Sequence, residues 1–175
     1  MLIGTKIRLR NKRLDDVRND YTWQSDSGLA QLDATPRLFT TFSQYLSIYA
    51  TELHHSAPAK RIFAIETLDG KHIGNCSFYN IGETKDEAEL GILIGNRDYW
   101  DKGYGTDAVT TLVDYIFRQA SLKRIQLKTL DSNRRAEKCF QKCGFTHCGQ
   151  LEKDGHKFVL MELHRKQREA QQTET

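Results

Sequence analysis

Apolar residues recur at helical spacing in four stretches of this chain, and alternate with polar ones or form short runs in seven others. Ile7 to Arg10 reads as a short opening strand. Leu14, Val17, Tyr21 and Trp23 mark a helix over 12–24, and Phe42, Tyr45, Leu46, Tyr49 and Leu53 mark a second over 41–54. Between them, Ser25 to Pro36 is rich in turn formers. Arg61 to Leu68 and Lys71 to Ile81 read as a hairpin around Asp69-Gly70, a pair that tolerates positive φ. Glu87 to Gly95 is a further strand, with the apolar run Leu90 to Ile94. Gly103 to Ala120 predicts a helix with a stripe of Val109, Leu112, Val113, Ile116, Phe117 and Ala120. Arg124 to Leu130 alternates as a strand, and Asn133 to Cys143 is a helix stopped by Gly144. Phe145 to Glu152 and Lys157 to Leu163 close the pattern as a hairpin around Asp154-Gly155.

The resulting order, β-α-α-β-β-β-α-β-α-β-β, is that of an α/β domain with a mixed sheet. At 175 residues, without repeats or a shift in composition, the chain reads as one domain over 1–165 and a polar, frayed C-terminal tail over 166–175. Lys plus Arg total 26 against 23 Asp plus Glu, so a net charge of +3 argues against a dedicated nucleic-acid binder. The longest uncharged apolar stretch, around Leu90 to Gly95, is too short to cross a bilayer, so no membrane partner is expected. The first residues alternate apolar and basic and lack the apolar block of a signal peptide. Four cysteines are too few and too clustered for a disulfide scaffold, which fits a reducing cytoplasm.

Candidate chemistry concentrates in Ile92 to Ala108: a strand, a polar loop, then Gly103-Tyr104-Gly105-Thr106 entering a helix. Unpaired N–H groups at a helix start, with the positive dipole end behind them, bind phosphate oxygens. Glycines at 103 and 105 let the backbone approach such a ligand. Arg97 and Lys102 add positive charge, provided Asp101 and Asp107 point away. The plain alternative is a helix that begins at a glycine turn. Gly103-x-Gly105-x-x-Ala108 also fits the dinucleotide fingerprint of an NAD(P)-binding oxidoreductase. Against that stand the eight residues Gly95 to Lys102 between strand and first glycine, and a remaining chain too short for a doubly wound fold.

Together, Glu89-Leu90-Gly91-Ile92-Leu93-Ile94, Tyr99 to Ala108, Asn133-Arg134-Arg135-Ala136 and Phe140-Gln141-Lys142-Cys143-Gly144-Phe145 resemble the GNAT superfamily of acyl-CoA N-acyltransferases. The branch they resemble is that of the ribosomal-protein N-terminal acetyltransferases. Arg8-Leu9-Arg10, Asp15-Asp16, Trp23 and Val159-Leu160-Met161 extend the resemblance over nearly the whole chain. It implies a single domain with a mixed, mostly antiparallel sheet, splayed between two parallel strands and flanked by about four helices. It implies acetyl-CoA as co-substrate, with no metal. The cofactor would lie between the Glu89–Gly95 and Arg124–Leu130 strands, with Leu93, Ile94 and Gly95 bonding the pantetheine. Trp100, Asp101, Lys102, Gly103, Tyr104, Gly105 and Thr106 would surround the pyrophosphate, and Asn133 and Phe140 would complete the contacts. The resemblance also allows a homodimer. A CoA-binding protein without catalysis is the rival reading.

Amine attack on a thioester needs a neutral amine, hence a base. Glu89 is the candidate, near the start of the splayed strand; its plain alternative is a charge on a solvated edge with Asp86 and Glu87. Some relatives place a Glu five residues before the helix Asn, where this chain has Lys128. Many carry a Tyr acid where it has Phe140, which cannot donate a proton. Glu83, Asp86, Glu87 and Glu89 cluster negative charge that would attract a cationic amine, keeping polyamines beside peptide N-termini and other small amines as acceptors. Tyr21, Trp23, Phe42, Tyr45 and Tyr49 either wall the acceptor site or fill the core. Cys139, Cys143, His147 and Cys148 have zinc-like composition, but two of them fall on an apolar stripe that suits core packing.

Overall fold

The alternating segments become one sheet because each has an apolar face to bury and a backbone to pair. The computed structural model describes residues 1–54, 60–81, 86–119 and 122–173. The strands are β1 (Leu2–Ile3), β2 (Ile7–Asn11), β3 (Lys60–Thr67), β4 (His72–Ile81), β5 (Glu87–Ile94), β6 (Arg124–Leu130), β7 (Thr146–Lys153) and β8 (His156–His164). The helices are α1 (Val17–Gln24), α2 (Ser27–Leu32), α3 (Phe42–His54), α4 (Tyr104–Gln119), α5 (Arg134–Lys142) and α6 (Arg165–Thr173). The strand order is β1-β2-β3-β4-β5-β6-β8-β7. Among the described residues only β5 and β6 are parallel, joined through the crossover helix α4.

That parallel pair is short. Glu87, Ala88 and Glu89 face Arg124, Ile125 and Gln126, and there the pairing ends. Beyond Glu89, β5 continues on β4 as far as Ile94, while β6 continues on β8 as far as Leu130. The two strands diverge into a V whose neck is Glu89.

The apolar stripe of α4 is buried as its spacing predicts, with Ala108, Val109, Leu112, Val113, Ile116 and Phe117 packed on the sheet; Ala120 lies outside the described residues. The Asp107 carboxylate accepts hydrogen bonds from the N–H groups of Thr5, Lys6 and Ile7 at 3.0, 2.8 and 3.1 Å. The β1–β2 turn is thereby fixed to the first turn of α4, and Asp107 is held away from the glycine loop. Gly144 ends α5 with φ +93°. The Phe145 N–H bonds the Phe140 carbonyl and the Gly144 N–H bonds that of Gln141, which is the hydrogen-bond pair of a Schellman stop.

Among the described residues six α-helices form where about four were expected. Within the turn-rich 25–36 segment, Asp26 accepts from the Leu29 N–H at 2.9 Å and starts α2. Of the polar tail expected to fray from Lys166, the residues as far as Thr173 belong instead to α6. Arg165 donates to the Phe117 and Leu122 carbonyls at 2.6 and 2.8 Å, and Arg168 pairs with Asp114 at 2.9 Å. Leu14, expected on the buried stripe, sits in a 3-10 turn and is exposed.

Candidate active site

The loop between β5 and α4 is shaped by two left-handed residues, Asp101 at φ +56° and Gly103 at φ +84°. Asp is among the few side chains that tolerate that region. At Gly103 any side chain would be strained. Lys6, which the sequence reading missed, reaches over from the β1–β2 turn. Its Nζ donates to the Lys102 carbonyl at 2.8 Å and lies 5.6 Å from the Tyr104 ring centre. The Lys102 ammonium bonds the Asp98 carbonyl at 2.7 Å. Tyr104, Gly105 and Thr106 open α4, so their N–H groups have no carbonyl one turn back and are available to an anion.

Gly105 has a different role from Gly103. A Cβ there would meet Cys139 Sγ at 3.5 Å and an Ile94 methylene at 3.7 Å, which is ordinary contact. The position faces the seam between α4, α5 and β5, with room for a methyl and no more. Gly105→Ala should therefore keep its CoA affinity. Gly105→Val should lose most of it while remaining folded, and Gly103→Ala should lose about 1–2 kcal/mol of stability through its backbone. Isothermal calorimetry checks this, and unchanged CoA affinity in a folded Gly105→Val variant overturns the assignment.

Trp100 reaches the strand end that is expected to bond the pantetheine. Its indole N–H donates to the Ile94 carbonyl at 2.7 Å. The Leu93 carbonyl points the other way, against Gly74 of β4, because successive carbonyls of a strand face opposite edges. Gly95 is covered by the Trp23 ring, which a Cβ there would strike. Of the carbonyls of Leu93 and Ile94, only that of Ile94 thus faces the open edge, and the Trp100 indole already bonds it. The Arg135 guanidinium stacks 3.7 Å from the Trp100 ring centre. Arg97, expected to charge the loop, is forked onto Asp26 at 2.8 and 2.9 Å and holds that carboxyl well below the usual range.

On the other arm of the V, the Asn133 side chain accepts the Ala136 N–H at 3.2 Å and caps α5. Phe140 is buried, its ring 6.1 Å from that of Phe145 in the apolar contact of the helix stop. Its side chain is spent on packing. Cys139 and Cys143 face α4: Cys139 Sγ lies 3.5 Å from the Thr106 hydroxyl, and the Cys143 thiol bonds the Thr106 carbonyl at 3.6 Å. Contact with Cys143 first, and then with Thr106 and Arg135, lowers the Cys139 thiol below its ordinary value against the effect of burial. The other two members of the zinc-like set lie elsewhere. His147 pairs with Glu137 at 2.8 Å, and Cys148 is exposed on β7.

At the neck, Glu89 Oε1 is 2.9 Å from Lys128 Nζ. The Tyr79 hydroxyl bonds the same carboxylate, and burial first, then that contact, pushes it up to about 12. The acidic cluster is weaker than its sequence suggests, because each of its described carboxylates meets a cation. Asp86 pairs with Lys123 at 3.0 Å, Glu87 with Arg124 at 2.7 Å and Glu89 with Lys128; Glu83 lies outside the described residues.

The expected aromatic wall is mostly core. Trp23, Tyr45 and Tyr49 are buried, and Tyr21 and Phe42 meet edge-on at 5.3 Å. Beneath them lies a buried polar network. Arg10 forks onto Asp16 at 2.9 and 2.7 Å and bonds Glu66. Asp20 accepts from Asn75 at 2.7 Å, from the Tyr49 hydroxyl at 2.9 Å and from Lys12. His72, 3.4 Å from Asp16, sits edge-on to Trp23 at 4.8 Å, so the network ends at Gly95. Arg10 and Asp16 stand in the family-like opening, but nothing in their spacing signals the pairing.

A family profile described as an acetyltransferase (GNAT) domain matches residues 6–146. An uncharacterized N-acetyltransferase of Bacillus licheniformis is 30% identical over 153 residues, spanning 86% of this chain and 84% of the relative. Aminoglycoside N(6')-acetyltransferase type 1 of Klebsiella pneumoniae is 29% identical over 160 residues, spanning 83% and 76%. A solved spermidine N-acetyltransferase of Vibrio cholerae, in complex with CoA and spermine, superposes with a TM-score of 0.79 at 20% identity, covering 94% of this chain and 98% of that one.

Proposed function

Since the chain belongs to the GNAT acetyltransferase family, we propose that it moves an acetyl group from acetyl-CoA to a primary amine by direct attack in a ternary complex. The observation that carries this reading is the neck of the V. There the parallel pairing stops at Glu89, with a carboxylate at the point where the two strands part. The amides of Tyr104, Gly105 and Thr106 hold the pyrophosphate, and the open edge of β5 receives the pantetheine once Trp100 yields the Ile94 carbonyl. Acetyl-CoA supplies an activated acyl group. Glu89 takes the proton of the incoming amine, and the thiolate leaves. A peptide N-terminus, a polyamine or another small amine each provides the nucleophile. Two of the proteins named above are described as acetyltransferases of aminoglycosides and of spermidine, which are amines. The pairing of Asp86, Glu87 and Glu89 with cations favours an acceptor that presents one amine over a long polycation. Among the described residues the sheet has one parallel strand pair, unlike the parallel sheet of a doubly wound dinucleotide fold. No helix among the described residues is long and apolar enough to cross a membrane.

The test is thiol release from acetyl-CoA with a panel of polyamines, amino acids, aminoglycosides and N-terminal peptides. The expected result is release above the amine-free rate with at least one acceptor, together with a thermal midpoint raised by CoA and not by NAD(P). A midpoint raised by CoA with no release across the panel would instead identify a CoA-binding protein without catalysis.

A further inference from the structure

Lys128 stands where an acceptor amine would have to stand. It lies on β6 two residues beyond Gln126, the last residue paired with β5, and so on the arm of the V just past the neck. Its Nζ is 2.9 Å from Glu89 Oε1, with the side chain partly open to solvent. The other lysines nearby differ. Lys123 pairs with Asp86 on the rim, Lys102 and Lys6 bond loop carbonyls, and Lys12 is held by Asp20 in the buried network.

We propose that Lys128 is a self-acetylation site: in the absence of an external amine, the acetyl group passes to its own Nζ. This rests on the reading that acetyl transfer takes place at the neck. Glu89 accepts a proton from the Lys128 ammonium, and the freed lone pair attacks the acetyl carbonyl. The N–C bond forms as the C–S bond breaks and the electron pair leaves on sulfur; the proton shed by the acylated nitrogen goes to the thiolate, giving the free thiol, and Glu89 returns the proton it took to solvent. The product is a neutral Nε-acetyl-lysine. Acetylation removes the charge that faces Glu89, so the carboxylate is released to an external amine. The ion pair is then a resting state that one acetylation per chain dissolves.

The experiment incubates the purified full-length protein with acetyl-CoA and no acceptor, and follows intact mass and peptide mapping over time. One acetyl group per chain is expected, mapped to Lys128, with a first-order rate that does not depend on protein concentration. Glu89→Gln, shown to be folded by circular dichroism, should slow it about 10²–10⁴-fold. Lys123 serves as the internal measure of unassisted acetylation of a surface amine. Lys128→Arg keeps the charge facing Glu89 and should leave no rapidly acetylated residue. Acetylation of Lys123 as fast as Lys128, a rate that rises with protein concentration, or a rate indifferent to Glu89→Gln overturns the proposal. Turnover of the amine panel without modification of Lys128 also overturns it and leaves the acetyltransferase reading standing. The absence of both, with no thiol released, removes that reading as well.

Discussion

Glu89→Gln is expected to lower turnover about 10²–10⁴-fold, the usual value of a positioned base, with little change in CoA affinity. Gln keeps the size of the side chain and a hydrogen-bonding oxygen for Lys128 and Tyr79, but it cannot take a proton. A lysine-like amine has a reference value near 10.4, so only roughly one part in a thousand is neutral at about pH 7.4. Without the base, attack is confined to that fraction. The rising limb of the pH–rate profile should therefore move to alkaline pH, where the amine is already free, and the variant should recover most at the highest pH. The amides proposed to hold CoA lie at the start of α4, away from the neck, so cofactor affinity separates a lost base from a disturbed fold. Near-native turnover across the pH range would make Glu89 a rim charge and assign the proton to another group or to water.

How much of this was legible in the sequence depends on how far apart the interacting residues lie. Alternation and helical periodicity are local, so the stripe of α4, the strands other than the two-residue β1 and the Asp154-Gly155 turn, both of whose residues take positive φ, are legible directly. The glycine loop was legible for the same reason, and Gly103 takes the positive φ that only glycine adopts freely. Two helices escaped for opposite reasons. In α2 the apolar stripe shrinks to the buried pair Leu29 and Ala30, too little to establish a period. In α6 there is no apolar face, and two arginines anchor the helix through hydrogen bonds and an ion pair that periodicity cannot see.

At the site, residue types were legible and partners were not. Glu89 and Lys128 were both marked, one as a base and the other as a departure from the family pattern. Their contact spans 39 positions and needs the splay to bring it about. Trp100 was placed in the loop, but its hydrogen bond to Ile94 depends on how the loop folds back over the strand end. For Phe140 the resemblance implies a cofactor contact, whereas its packing against Phe145 within the helix stop depends on how that stop folds.

The buried network carries the second large effect. Arg10→Ala should destabilise the fold by about 3–5 kcal/mol, the range for leaving an uncompensated buried charge. That is a large share of the roughly 5–15 kcal/mol that holds a domain. The substitution removes the guanidinium shared by two nearly inaccessible carboxylates, leaving Glu66 with Arg8 at 3.2 Å and Asp16 with the Arg13 amide and His72. Burial alone would push the Asp16 carboxyl up. The Arg10 guanidinium, the Arg13 amide and the charges of His72 and Lys12 outweigh it and hold the group below its ordinary value. A carboxyl whose value is depressed on folding stabilises the protein above its unfolded value, near 3.9, and that contribution is lost as pH falls through the folded value. The gap between the native protein and Arg10→Ala in urea unfolding should thus be widest near neutrality and narrow in acid. Asp15→Ala, one residue away and exposed, should unfold like the native protein at both pH values. A loss below about 1 kcal/mol at neutral pH would mean that water replaces Arg10 at little cost. Through His72 and Trp23 the same network presses on Gly95, so a loosened variant should also bind CoA less tightly, the cofactor strand having lost the support beneath its end.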